Sequence, residues 1–214
     1  MHAKLGELRA ELDTIPAGSL AEPDEGLITI DDQGPARIEL LRAPAGHGVN
    51  PDGSERGQAG DRGDLEREPN YSRGGYTWWA DARDEDLVAY RPQAGGRFRI
   101  WLSWGAGRST HAPDARYQLD LDGNLESLAD RVALATVDQR AFADGLPPSR
   151  EEPLWSGLFD AGAHELEPES CIVLRAGSEL RSVSADLVIL QPVSDSAGRS
   201  RPHLSAQVTA KCNQ

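Results

Sequence analysis

Three groups of side chains in this chain have the types and spacing to do chemistry. The first is aromatic: Trp78, Trp79, Trp101, Trp104 and Trp155, with Tyr71, Tyr76 and Tyr90. An exposed indole beside an arginine is a way to grip a sugar, whose apolar face stacks on the ring while polar neighbours take its hydroxyls. In residues 96–104, GRFRIWLSW, Trp101 alternates onto the side of Arg99 and Ser103, and Trp104 onto the side of Phe98 and Ile100. Trp101 and Arg99 are therefore candidate contacts. The adjacent Trp78 and Trp79 must face opposite ways in one strand, and Trp79 joins the candidates. The competing reading is that these tryptophans fill the core, which large aromatics dominate.

The second group is the loop GAGRSTHAP, residues 105–113, with Arg108, Ser109, Thr110 and His111 in a row. A serine next to a histidine invites a hydrolase reading, but triad partners come from separate elements, and no G-x-S-x-G elbow is present. Arg108 and His111 are better read as hydrogen-bond donors at a loop tip. The alternative is a tight loop whose Ser and Thr side chains bond to backbone. The third group is Asp120, Asp122, Asn124 and Glu126, with Asp130 nearby. Its spacing resembles the D-x-[DN]-x-[DN]-G calcium loop, in which oxygen ligands at alternate positions converge. The glycine comes directly after the second Asp, however, and the closing glutamate is missing. Asp120, Asp122 and Asn124 are the candidate calcium ligands; a solvated Asp-Gly turn is the alternative. The acids Asp81, Asp84, Glu85 and Asp86 read as a solvated turn.

These groups need a scaffold, and the hydrophobic pattern supplies one. Strands are predicted near residues 26–30, 36–41, 75–80, 86–90, 97–104, 116–120, 132–137, 154–159, 171–176 and 184–190. Each is short, alternating or apolar, and bounded by turn residues. Residues 96–120 read as a hairpin-like unit. Leu5, Leu8 and Leu12 recur at helical spacing before Pro16, which predicts a short N-terminal helix. Residues 42–70, rich in Gly, Asp and Arg, read as a long exposed loop or one pinned by a ligand. The fold class is all-β, a jelly-roll-type β-sandwich with a short N-terminal helix. The expected organisation is a helix or linker over 1–20, the sandwich over 21–192 and a polar linker over 193–214.

Composition narrows the partners. At 214 residues the chain is long enough for a sizeable core. A net charge of −13 repels phosphate backbones, so nucleic acid is not expected as a partner. No apolar run is long enough to span a membrane, and the N-terminus lacks a signal-peptide core. Lys4 and Lys211 are the only lysines among many arginines, a mark of a GC-rich genome. Cys171 and Cys212 either pair in an oxidising compartment or stay as thiols, with Cys171 in a strand core.

The block WLSWGAGRSTHAPDARYQLD, together with SADLVIL at 184–190, resembles the golvesin/xanthan-lyase-type carbohydrate-binding domain. The resemblance covers residues 75–191 and rests on Ser109–Ala112 in the loop and on Ala185, Asp186, Leu187 and Val188 in a late strand. The insertions at 120–129 and 143–153 depart from it. The N-terminal KLGELRAELDTIP is similar to connectors in large exported planctomycete-type proteins with cytochrome c-like domains. The resemblance implies a non-catalytic accessory module within a longer exported chain, periplasmic or extracellular, that binds polysaccharide and adjoins neighbouring domains. A structural or protein-interaction spacer is the alternative, and a hydrolase or lyase a third. No cofactor is expected apart from calcium.

Overall fold

The computed structural model describes residues 26–32, 34, 36–46, 75–148 and 154–193. Thirteen strands run through them, and no helix does. In chain order they are β1 (Ile28–Asp31), β2 (Ile38–Leu40), β3 (Thr77–Ala82), β4 (Asp86–Tyr90), β5 (Gly96–Leu102), β6 (Gly105–Ala106) and β7 (Ala115–Asp120). Then come β8 (Val132–Val137), β9 (Leu154–Trp155), β10 (Phe159–Leu166), β11 (Cys171–Arg175), β12 (Arg181–Ala185) and β13 (Leu187–Pro192). One sheet has the order β1-β13-β5-β10 and the other β2-β4-β11-β7-β8, with every strand pair antiparallel. Two small ribbons, β12-β3 and β6-β9, complete the β-sandwich.

The core follows from the alternation. Phe98, Ile100 and Leu102 of β5 and Val188 and Leu190 of β13 turn inward from the first sheet. Val88, Tyr90, Tyr117, Leu119, Ile172 and Leu174 meet them from the second. Each large apolar side chain so buried contributes roughly 1.5–3 kcal/mol relative to exposure.

Residues 96–120 do not form a hairpin. β5 belongs to the four-stranded sheet and β7 to the five-stranded one, so the chain crosses between layers. The expected strand over 184–190 is likewise divided, because β12 pairs with β3 while β13 pairs with β5. One contact ties the two breaks together: Ser103 Oγ donates to Asp186 Oδ2 at 3.1 Å and accepts from the Leu187 amide at 3.3 Å. Tyr90 donates its hydroxyl to the Asp186 carbonyl and Tyr117 to that of Ser103, each at 3.2 Å. A buried polar group must be hydrogen-bonded, so Ser103 and Asp186 belong where two strands change sheets together. β10 runs on to Leu166, well beyond the expected strand. Ala161, Gly162 and Ala163 carry no alternation to signal it, and a register shift interrupts it between Asp160 and Ala163.

The predicted N-terminal helix, most of the 42–70 loop and the C-terminal linker lie outside the described residues. So does Cys212, while Cys171 is a free, buried thiol pushed up to about 12, chiefly by burial. Among the described residues no helix is long and apolar enough to cross a membrane.

A side chain at Gly105 would enter the ring of Tyr76, itself buried. Gly105→Ala is expected to cost about 1–3 kcal/mol through overpacking, read as a lowered urea midpoint. An unchanged midpoint would mean that Tyr76 swings aside freely.

Candidate functional site

β5 places Arg99 and Trp101 on the outer face of the four-stranded sheet. The two do meet: the Arg99 guanidinium lies 5.6 Å from the centre of the Trp101 ring. Arg99 also pairs with Asp160 of β10 at 3.2 Å, and Trp101 Nε1 donates to Gln191 Oε1 at 3.2 Å. Trp101 is only 8% exposed and packs on Leu187 and Ile189, with Leu27 and Leu158 against them. Its indole is thus an anchor beneath Arg99, and a sugar stacks on it only by displacing that arginine.

The loop after β6 separates its two candidate donors. Arg108 is exposed, but His111 is 4% exposed, bridged to Ser182 of β12, with its ring edge-on to Tyr76. Burial pushes the imidazole down to about 4, and the charge of Arg108 adds to this against the pull of the Gln139 and Gly105 carbonyls. His111 is therefore a neutral interior group, not the loop-tip donor expected of it. The loop is pinned through backbone bonds: Ala112 N donates to the Ser182 carbonyl at 2.8 Å and Ser182 N to that of Thr110 at 3.2 Å.

Trp78 and Trp79 do face opposite ways, but Trp79 is the inward one. It is 1% exposed, pairs across the ribbon with Val183, and donates Nε1 to the Arg42 carbonyl at 2.9 Å. Trp79 has no face to offer a ligand; Trp78 is the half-buried member.

A concavity among the described residues lies elsewhere. Between the edge strands β8 and β10, at the open side of the sandwich, is a pocket of about 130 Å³. Trp104, Phe142, Phe159, Val137 and Asp138 line it. Trp104 is held by a bond from Nε1 to the Ala141 carbonyl at 3.0 Å, and its ring centre is 6.3 Å from that of Phe159. Asp138 is clamped by Arg140 through two bonds of 2.8 and 2.7 Å, which hold its carboxyl below the usual range. Asp138 is the one acid among the described residues of the lining. Sequence reasoning assigned Trp104 to the core, correctly for its burial, and missed Phe142 and Phe159.

The third candidate group gathers in part. One carboxylate oxygen from each of Asp120, Asp122 and Asp130 lies within 4.8 Å of the others. The side-chain oxygen of Asn124 accepts from the Glu126 amide at 3.3 Å, closing a turn. Gly123 takes φ +68°, and a side chain there would strike the Glu169 carbonyl. That explains a glycine two places earlier than a calcium loop has it. Burial raises Asp120, Arg131 opposes this, and the charges of Asp130 and Asp122 add to it.

No family model matches the chain, and no curated protein does. Solved structures do resemble it. A Paenibacillus xanthan lyase matches with TM-score 0.50 and 14% identity over 78% of this chain and 13% of its own. The catalytic domain of a GH87 α-1,3-glucanase, solved with tetrasaccharides, matches with TM-score 0.45 and 12% identity over 84% and 30%. The K1 cleaved adhesin domain of Lys-gingipain from Porphyromonas gingivalis matches with TM-score 0.38 and 12% identity over 79% and 100%. This chain thus spans a small part of the two enzymes. The similarity to the lyase shows a shared fold: an antiparallel β-sandwich of a kind that also occurs within a carbohydrate-active enzyme.

Proposed function

We propose that this domain is a non-catalytic carbohydrate-binding module of a longer exported chain. Its contact surface is the pocket between β8 and β10. The observation that carries the reading is the lining: three aromatic rings, Trp104, Phe142 and Phe159, beside the Asp138–Arg140 ion pair. The rings offer an apolar floor for the CH face of a sugar, and the ion pair offers donors and acceptors to its hydroxyls. A pocket of about 130 Å³ suits one ring, such as a chain end, better than a buried oligosaccharide. The net charge of −13 repels polyanions, so neutral polysaccharides are the favoured class.

Affinity electrophoresis against neutral and acidic polysaccharides tests this. Phe159→Ala is expected to weaken binding at least tenfold, in line with the loss of an aromatic contact of about 1.5 kcal/mol. Arg99→Ala, on the outer face, is expected to bind as wild type. The reverse pattern would move the contact to Arg99 and Trp101, and no binding by the wild type would remove the module reading.

A spacer or docking role is the second reading. The exposed Leu128, Val132 and Leu146, on or near β8, favour it.

A further inference from the structure

β7 ends at Asp120, residues 121–130 fold back over the outer face of the five-stranded sheet, and β8 begins at Val132. Leu125 in that loop packs on Ala89, Cys171 and Val173, so the loop roofs Asp120. The three carboxylates that converge beneath it each commit an oxygen to the protein. Asp130 Oδ2 accepts from the amides of Leu121 and Asp122 at 3.1 Å each. Asp122 Oδ1 accepts from the Asn124 amide at 2.8 Å, and Asp120 Oδ2 from Arg131 Nε at 3.0 Å.

The remaining oxygens set this loop apart from an ordinary acidic turn. Asp120 is 0% exposed, and its Oδ1 has no hydrogen-bond donor. Asp130 Oδ1 is buried and equally without one. A carboxylate oxygen shut away from water needs a partner, because desolvation leaves its charge uncompensated. Nearby arginines do not supply enough charge. Arg131 pairs with Asp86 and Asp120 and Arg175 with Asp86, while among the described residues no arginine pairs with Asp122 or Asp130, so two negative charges are left over.

We propose that Asp120, Asp122 and Asp130 form a calcium site that fastens the 121–130 loop to the sheet. The donor set is all oxygen, with no nitrogen or sulfur, which selects a hard cation. Two charges match a divalent ion. Oxygens within 4.8 Å of one another can be spanned by one calcium at about 2.3–2.6 Å from each. The remaining ligands are water at the exposed Asp122 side, which calcium's flexible coordination accepts more readily than magnesium's octahedron.

The protein stripped with EGTA and titrated with calcium chloride in a calorimeter is expected to bind one ion per chain. Asp122→Asn, at an exposed position that leaves folding intact, is expected to weaken that affinity at least tenfold. Magnesium is expected to bind at least tenfold more weakly than calcium. Calcium should also raise the melting temperature of the wild type and leave that of Asp122→Asn nearly unmoved. No uptake of calcium at millimolar concentration would overturn the proposal. So would wild-type affinity in Asp122→Asn, or equal affinity for magnesium.

Discussion

Arg131→Met is expected to destabilise the domain by about 3–5 kcal/mol, measured by urea unfolding in EGTA. The Arg131 side chain is 2% exposed and carries four contacts at once. It bonds Asp120 Oδ2 at 3.0 Å, Asp86 Oδ2 at 2.7 Å, Gln118 Oε1 at 3.3 Å and the Leu125 carbonyl at 3.4 Å. It therefore joins β4 and β7 to the loop that covers them. Methionine keeps most of the volume and none of the charge, so Asp120 would be left buried and ionised with no cation beside it. The loss of one partner from a buried pair is costlier than the pair itself is worth, because the survivor's desolvation is no longer offset. Asp86 suffers less, since Arg175 still bonds its Oδ1 at 2.7 Å. Asp120→Asn in the Arg131→Met background should then recover part of the loss, a coupling that a double-mutant cycle reads directly. A loss below about 1 kcal/mol would mean that water reaches Asp120 and that the loop is not a roof.

Asp32 and His111 are expected to bend the pH dependence of stability in opposite directions. Burial pushes Asp32 up to about 7, with the charge of Asp31 adding and Thr77 partly offsetting. Between about pH 4 and 7 the folded protein then holds a proton at Asp32 that the unfolded chain has released. The stability this group contributes is full at the acid end and is lost as pH rises toward 7. His111 is the mirror case, pushed down to about 4. Between about pH 4 and 6.5 the unfolded chain holds the proton, so stability falls as pH drops through that window. Each effect is on the order of 3 kcal/mol across the window, and the two oppose. Relative to wild type, Asp32→Asn should gain stability steadily from pH 4 to 6.5. His111→Gln should show the reverse trend against wild type, whatever its constant cost in packing. Guanidinium titrations at four pH values read both, and curves parallel to wild type would show that neither group is shielded from water.

Much of the scaffold was legible in local pattern. The strands Asp86–Tyr90 and Val132–Val137 have the bounds that the sequence predicts. Phe98, Ile100 and Trp104 do share the core face opposite Arg99 and Trp101. Alternation is a property of one strand, set by the pleat, so neighbouring residues suffice to reveal it. Alternation says that two faces differ, not which is buried or by what. Trp78 and Trp79 show the limit: only the pairing of β3 with β12 turns Trp79 inward.

Long-range contacts decided the rest. By itself the sequence determined an acidic, turn-rich, all-β chain and grouped its aromatics and acids. Only the tertiary structure sent β5 and β7 to different sheets, sank His111 against Tyr76 and put Arg99 over Trp101. It alone joined Phe142 and Phe159 to Trp104, and brought Asp130 to Asp120 and Asp122. A pocket or a metal shell is an agreement among residues far apart in the chain. Its geometry is set by the sheet pairings that bring them together, which no local spacing encodes.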